Sequence, residues 1–210
     1  MPDQSHDHPP LVGIIPAAGQ STRMGKPKQL MMLGERTLLE STLESLRAPC
    51  AVTIVVVHAG IASNARSSKR VEVIQNDDPA SGMIDSIRLA MDHADAGMPR
   101  IGGWMVVPGD LPGLTSNEIT PCIDAFRAHP ESIIIAAHQG RHGHPMIIPA
   151  SMTSDIRSSA CDNGLRDLKV LHRDRLHIVD CPSAAVLRNI NTPSDYERLR
   201  REHARDTNTR

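Results

Sequence analysis

The sequence predicts an α/β fold built around a mostly parallel sheet. Short apolar runs alternate with amphipathic stretches almost from end to end, capping-box sequences open two helices, and no internal repeat or linker-like stretch divides the 210 residues. A chain of this length fits one domain and buries roughly 70% of the surface its unfolded form exposes. One domain is expected over 11–205, with disordered tails at 1–10 and 206–210.

The strands are expected at 11–15, 52–57, 71–74, 104–107, 133–137, 146–148 and 176–179, where β-branched and other apolar residues cluster. Between the first two, Thr37-Leu-Leu-Glu40 is a capping-box sequence, and Leu39, Leu43 and Leu46 follow it on one helical face. A second helix is expected over about 81–94, because Met83, Ile84, Ile87 and Met91 recur at helical spacing. Thr115-Ser-Asn-Glu118 repeats the capping signal ahead of Ile119, Ile123 and Phe126. Thr192-Pro-Ser-Asp195 opens a final charged helix with proline at its first position.

Composition excludes several classes of function. Lys and Arg number 23 against 24 Asp and Glu, so a net charge of -1 provides no global field for a polyanion. Trp104, Phe126 and Tyr196 are the only aromatic residues, too few for the stacking platforms of single-strand binders. No nucleic acid and no membrane is expected as a partner, since no segment approaches the length of an apolar span. Cys50, Cys122, Cys161 and Cys181 form no CxxC pair and read as buried, reduced thiols, which places the chain in the cytoplasm.

The most informative segment is the loop after the first strand, Gly13-Ile-Ile-Pro-Ala-Ala-Gly-Gln-Ser-Thr-Arg-Met-Gly-Lys-Pro-Lys-Gln-Leu. Ligands of open parallel sheets bind at the carboxyl ends of strands. Gly19, Ser21, Thr22 and Gly25 offer backbone N–H groups and hydroxyls to phosphate oxygens, and Arg23, Lys26 and Lys28 supply positive charge. The pattern reads as a triphosphate cradle. It is not a Walker A loop, because five residues separate Gly19 from Gly25 where that motif has four, and Pro27 stands where Ser or Thr would hold magnesium. Asp110 follows the fourth apolar run at a strand's carboxyl end, where it reads equally as a turn residue or as a ligand for a divalent cation.

Ala17-Ala18-Gly19-x-Ser21-x-Arg23-Met24-Gly25-x-Pro27-Lys28 resembles the nucleotide-binding signature of nucleotidyltransferases that act on the molybdenum cofactor, the molybdenum cofactor cytidylyltransferases in particular. Gly82-Met83-x-x-Ser86-Ile87, Gly109-Asp110-Leu111-Pro112, Gly143-His144-Pro145 and Asn189-Ile-Asn191-Thr192-Pro193 follow in the order that family shows. The likeness runs from about residue 11 to 199. It implies a Rossmann-like three-layer sandwich of nucleotidyltransferase type, with a mostly parallel mixed sheet.

The resemblance also implies the chemistry. A CMP group passes from CTP to the phosphate of a molybdopterin-type cofactor, and pyrophosphate leaves. Mg²⁺ is the implied cofactor. Arg23, Lys28 and Asp110 form the implied catalytic set, with Asp110 and Asn191 on the metal. Ala17, Ala18, Gly19, Ser21, Thr22, Arg23, Lys28, Ser81 and Gly82 are the implied nucleotide contacts, with Pro79 and Ala80 completing the base and ribose pocket. The resemblance implies that His144 forms a wall of the acceptor pocket, with Arg141 as a phosphate contact. Family members that use CTP often carry Asp-x-Asp-Thr-Pro where this chain has Asn189-Ile-Asn191-Thr192-Pro193, and Asn there also occurs in guanylyltransferases. Ala18 favours CTP over GTP, because guanine-selective relatives tend to have glycine at its place.

The partners implied are CTP or GTP, a phosphorylated pterin acceptor, and transient contact with a molybdoenzyme or its maturation factor. Three alternatives remain open at the level of sequence: a guanylyltransferase on the same cofactor, a cytidylyltransferase on an isoprenoid or sugar phosphate, and a non-catalytic cofactor carrier. His138, His142 and His144 could instead be read as a metal site, although no acidic or cysteine ligand is near them in sequence. Asp162-Asn163-Gly164-Leu165-Arg166-Asp167-Leu168 matches an acceptor-side helix of the family and reads equally as a plain amphipathic helix.

Overall fold

Strands that are apolar on both faces must be covered on both faces, and the chain supplies helices for each. A computed structural model describes residues 9–21, 24–65, 67–78, 80–98 and 100–208. In chain order the elements are β1 (Leu11–Pro16), a small hairpin of β2 (Met32–Leu33) and β3 (Arg36–Thr37), α1 (Leu38–Leu46), β4 (Val52–Val57), α2 (Ala59–Ala62), β5 (Val71–Gln75) and α3 (Met83–Gly97). They continue with β6 (Gly103–Val106), α4 (Ser116–Ala128), β7 (Ile133–His138), β8 (Arg141–Pro149), α5 (Thr153–Arg157), α6 (Leu165–Leu171), β9 (Leu176–Asp180) and α7 (Pro193–Asn208).

Seven strands form one sheet in the order β5-β4-β1-β6-β8-β7-β9. β1 pairs in parallel with β4 and β6, and β8 runs antiparallel to both of its neighbours. The mixed, mostly parallel sheet is the expected one. Period-two alternation divides its side chains between two cores. Ile15, Val55, Met105 and Ile147 pack with Leu39, Leu46, Ile119 and Phe126 of α1 and α4. On the other face Ile14, Val56, Val106 and Met146 pack with Ile84, Ile87, Met91, Ile156 and Leu168 of α3, α5 and α6. Each fully buried aliphatic side chain contributes roughly 1.5–3 kcal/mol relative to exposure.

Both capping boxes form as expected, Thr37 with Glu40 and Thr115 with Glu118. Other expectations shift. Met83 is not on the buried face of α3: it opens the helix and is 52% exposed, so burial starts at Ile84. The strand expected at 146–148 is nine residues long, because Gln139 (φ +50°) and Gly140 (φ +75°) make a two-residue turn that folds β8 back on β7. α7 continues to Asn208, past the expected start of the C-terminal tail. All four cysteines are free and buried, and burial pushes the Cys50 thiol up to about 12. No helix among the described residues is long and apolar enough to cross a membrane.

Candidate active site

β1, β4 and β6 end side by side, and the chain leaves the sheet there through three loops. Gly109 permits the closest of these approaches, since a Cβ on it would come 2.8 Å from the Cβ of Ala17. The turn after β6 therefore lies against the loop after β1, with Asp110 beside it. Asp110 is 7% exposed. Its backbone carbonyl accepts from the N–H of Ile190 at 3.1 Å, which draws the segment 189–191 into the same corner. Ile190 is itself fixed by a separate apolar cluster with Met24, Met31, Leu38 and Leu199. The C-terminal segment thus reaches the cleft because an isoleucine anchors it to the first loop and to α7.

Lys28 joins these parts. Its Nζ donates to Asp110 Oδ2, to the Ile190 carbonyl at 3.0 Å and to Asn191 Oδ1 at 3.3 Å. The cation expected on a phosphate and the carboxylate expected on a metal are ion-paired with each other. Asn191 is set by its neighbours: its N–H and that of Thr192 donate to Asp195 Oδ2 at 3.2 and 2.9 Å. The Thr192 hydroxyl donates to the same oxygen, and these contacts hold the Asp195 carboxyl below its ordinary range.

The first loop is shaped by Gln29, a residue the sequence reading assigned no role. Gln29 is 2% exposed. Its Nε2 donates to the carbonyls of Ala17 at 2.8 Å and Gly19 at 2.9 Å, and its Oε1 accepts from the Ser21 hydroxyl at 3.2 Å. Ser21, at φ +54°, accepts in turn from the N–H of Lys28 at 3.2 Å. Because a trans peptide points its C=O and the next N–H in opposite directions, the N–H groups of Ala18 and Gln20 face away from Gln29. Oriented N–H groups of this kind suit an anion. Gln29→Leu leaves the buried Ala17 carbonyl and the part-buried Gly19 carbonyl without their donor and should cost about 1–3 kcal/mol of stability while raising the KM for nucleotide. A thermal melt and nucleotide titration check this.

These loops enclose a cleft of about 200 Å³. Of the expected site residues, Ala17, Ala18, Gly19, Lys28, Ser81, Gly82, Asp110 and Asn191 line it, together with Asn189, Gln29, Ser86 and Gly109. Ser21 braces the loop from outside the lining. Thr22, Arg23 and Pro79 lie outside the described residues. Ser81 Oγ accepts from Asn76 Nδ2 at 2.9 Å, and Gly82 N–H donates to Asp85 Oδ2 at 2.8 Å, which closes the start of α3. Larger hollows of about 560 and 800 Å³ lie between α1 and α4 and at the foot of the sheet, and neither holds any of the expected site residues.

His144 is not among the residues that line the cleft. It is half-buried on β8, and burial pushes its imidazole down to about 4, which leaves it neutral at pH 7. Its Nδ1 is buried with no hydrogen-bond partner. His138 Nδ1 lies 2.9 Å from the carbonyl of Cys181, and His142 is exposed. Among the described residues no group of three His, Cys, Asp or Glu side chains is placed to hold a metal.

A divalent cation can still be accommodated on oxygen. Asp110 provides a carboxylate and Asn191 an amide oxygen at the same corner, and the Oδ1 of Asn189 is buried there without a partner. An all-oxygen set with one charge fits Mg²⁺, which takes one or two carboxylates and completes its shell with phosphate and water.

The chain is 30% identical over 193 residues to a probable molybdenum cofactor guanylyltransferase of Rhodopirellula baltica, covering 89% of this chain and 90% of that one. It is 26% identical over 192 residues to the molybdenum cofactor cytidylyltransferase of Escherichia coli K12, covering 87% and 92%. The crystal structure of Rv0371C from Mycobacterium tuberculosis H37Rv in complex with manganese superposes with a TM-score of 0.72 at 25% identity, over 91% of this chain and 98% of that one. The family model of the MobA-like NTP transferase domain matches residues 13–176, and the chain belongs to that nucleotidyltransferase family.

Proposed function

We propose that the protein transfers CMP from CTP to the phosphate of a molybdopterin-type cofactor in the cytoplasm, releasing pyrophosphate, with Mg²⁺ held by Asp110 and Asn191. The observation that carries this reading is the convergence of Lys28, Asp110 and Asn191 beside the loop of residues 17–21. The first loop's N–H groups and Lys28 take the triphosphate, and Ser81 and Gly82 take the nucleoside. Bound Mg²⁺ would neutralise phosphate charge there. Thr22 and Arg23 complete the phosphate contacts, and His144 the acceptor wall.

The residues' own part is positioning and charge. An oxygen of the acceptor phosphate forms a bond to the α-phosphorus, the bond from that phosphorus to the bridging oxygen breaks, and its electron pair leaves with pyrophosphate. A phosphate monoester has a second pKa of about 6, so it arrives already ionised and needs no general base. Lys28 exchanges Asp110 Oδ2 for a phosphate oxygen when nucleotide enters. This exchange frees the carboxylate at the moment the cation is wanted. In the free protein Lys28 competes with any metal for Asp110, so Lys28→Met should tighten Mn²⁺ binding in the absence of nucleotide. Calorimetric titration checks this, and unchanged affinity would separate the pair from the metal site.

A second reading, transfer of GMP from GTP, is favoured by the guanylyltransferase name of the Rhodopirellula baltica relative and by asparagine at 189 and 191. Ala18 separates the two. Ala18 lines the cleft, and Ala18→Gly should shift kcat/KM by about tenfold toward GTP. Purified protein given Mg²⁺, the phosphorylated pterin and each nucleotide should release pyrophosphate fastest with CTP. Release with GTP alone selects the second reading. Nucleotide binding without release from either supports a carrier instead.

A further inference from the structure

Met83 lines the cleft and has no part in its charge or metal chemistry. It is the first residue of α3, and the helix turns its core face only from Ile84 and Ile87 onward, which pack against Ile14 and Val56 of the sheet. Met83 is therefore left 52% exposed. Among the residues lining the cleft it is the one large apolar side chain that is not buried: Pro16, Ala17 and Pro108 are buried, and Ala18 carries a single methyl. Ser86, three residues on, shares its helix face and also lines the cleft. Asn76, which follows β5, donates from Nδ2 to Ser81 Oγ at 2.9 Å and to Ser86 Oγ at 3.3 Å, so this first turn of α3 is held in place. The sheet order puts β5 and β6 on opposite sides of β1, so the turn faces the corner of Lys28, Asp110 and Asn191 across the loop after β1.

The two walls differ in chemistry. The corner at Lys28 offers charge and oxygen donors, whereas Met83 offers a flexible, polarizable thioether on a fixed helix start. Phosphates and ribose hydroxyls gain nothing from such a surface. A nucleobase has polar edges but apolar π-faces, and sulfur packs favourably against aromatic rings. We propose that Met83 is the platform on which the nucleobase rests, its thioether against one face of the ring, so that it raises nucleotide affinity without choosing the base. This assignment rests on the reading that the cleft takes a nucleoside triphosphate, and it is independent of the acceptor.

Calorimetric titration of the intact protein with Mg²⁺ and CTP, GTP or inorganic tripolyphosphate tests it. Met83→Ala should weaken both nucleotides about fivefold or more and leave tripolyphosphate within about twofold, and Met83→Leu should restore much of the loss. The ratio of CTP to GTP affinity should stay within about threefold, because every base presents a π-face. The melting temperature without ligand should not fall, since the side chain already stands half in water. Unchanged nucleotide affinity in Met83→Ala would overturn the proposal, as would an equal loss for tripolyphosphate, which would make Met83 a support of the phosphate loop. In turnover, a raised acceptor KM with an unchanged nucleotide KM would assign the platform to the acceptor's ring and overturn it too. If no CMP transfer is found while Met83 still separates nucleotides from tripolyphosphate, the transfer reading fails and the platform stands.

Discussion

Asp110→Asn should lower turnover by about 10²- to 10³-fold while leaving the fold intact. The substitution keeps the side chain's shape and an oxygen, so the turn after β6 and the contact between Ile190 N–H and the Asp110 carbonyl persist. What it removes is the one charged oxygen donor among Asp110, Asn189 and Asn191. With amides rather than carboxylates at 189 and 191, the proposed site has no second carboxylate to take over. A comparable site with Asp-x-Asp in its C-terminal motif would lose less. The loss should therefore appear in kcat and in metal affinity, and Asn191→Asp in the same chain should recover part of both. Initial rates of pyrophosphate release across a Mg²⁺ titration check this; a rate within a few-fold of wild type would make Asp110 a turn residue.

The second large effect is expected at Lys28. Lys28→Ala should reduce turnover by at least about tenfold, because it withdraws a preorganised cation from charge that develops on the leaving pyrophosphate. Its signature differs from that of Asp110→Asn. Without Lys28 the carboxylate of Asp110, only 7% exposed, is left unpaired in the free protein, so the variant should be less stable without metal and regain stability when Mn²⁺ is added. Thermal melts with and without metal read this directly. Equal destabilisation in both conditions would mean that Lys28 serves only as a structural partner of Asp110.

The sheet was legible because strands buried on both faces show as unbroken apolar runs, and β4 coincides with its run from Val52 to Val57. Capping boxes fixed the starts of α1 and α4 for an equally local reason: the two reciprocal hydrogen bonds span three residues. Met83 misled, because helical spacing does not show where a buried face begins, and its place at the first position of α3 leaves it over the cleft. The length of β8 was hidden by Arg141, His142 and Gly143, whose polarity masks a strand that the turn at 139–140 imposes.

In the site, the motif residues 17–19, 28, 81–82, 110 and 191 meet in one cleft. Motif order could not show that Lys28 and Asp110 are paired, since that contact spans 82 residues. Nor could it reveal Gln29, whose hydrogen bonds point inward to carbonyls rather than toward a ligand. A glutamine standing between Lys28 and the apolar pair Leu30-Met31 was the available signal.

The most direct test is a crystal soaked with Mn²⁺ and a non-hydrolysable CTP analogue, with anomalous scattering used to locate the metal. The account predicts manganese bound to Asp110 and Asn191, the triphosphate against residues 17–21, and Lys28 Nζ moved from Asp110 onto a phosphate oxygen. Nucleotide and metal bound elsewhere, with the ion pair between Lys28 and Asp110 intact, would contradict it.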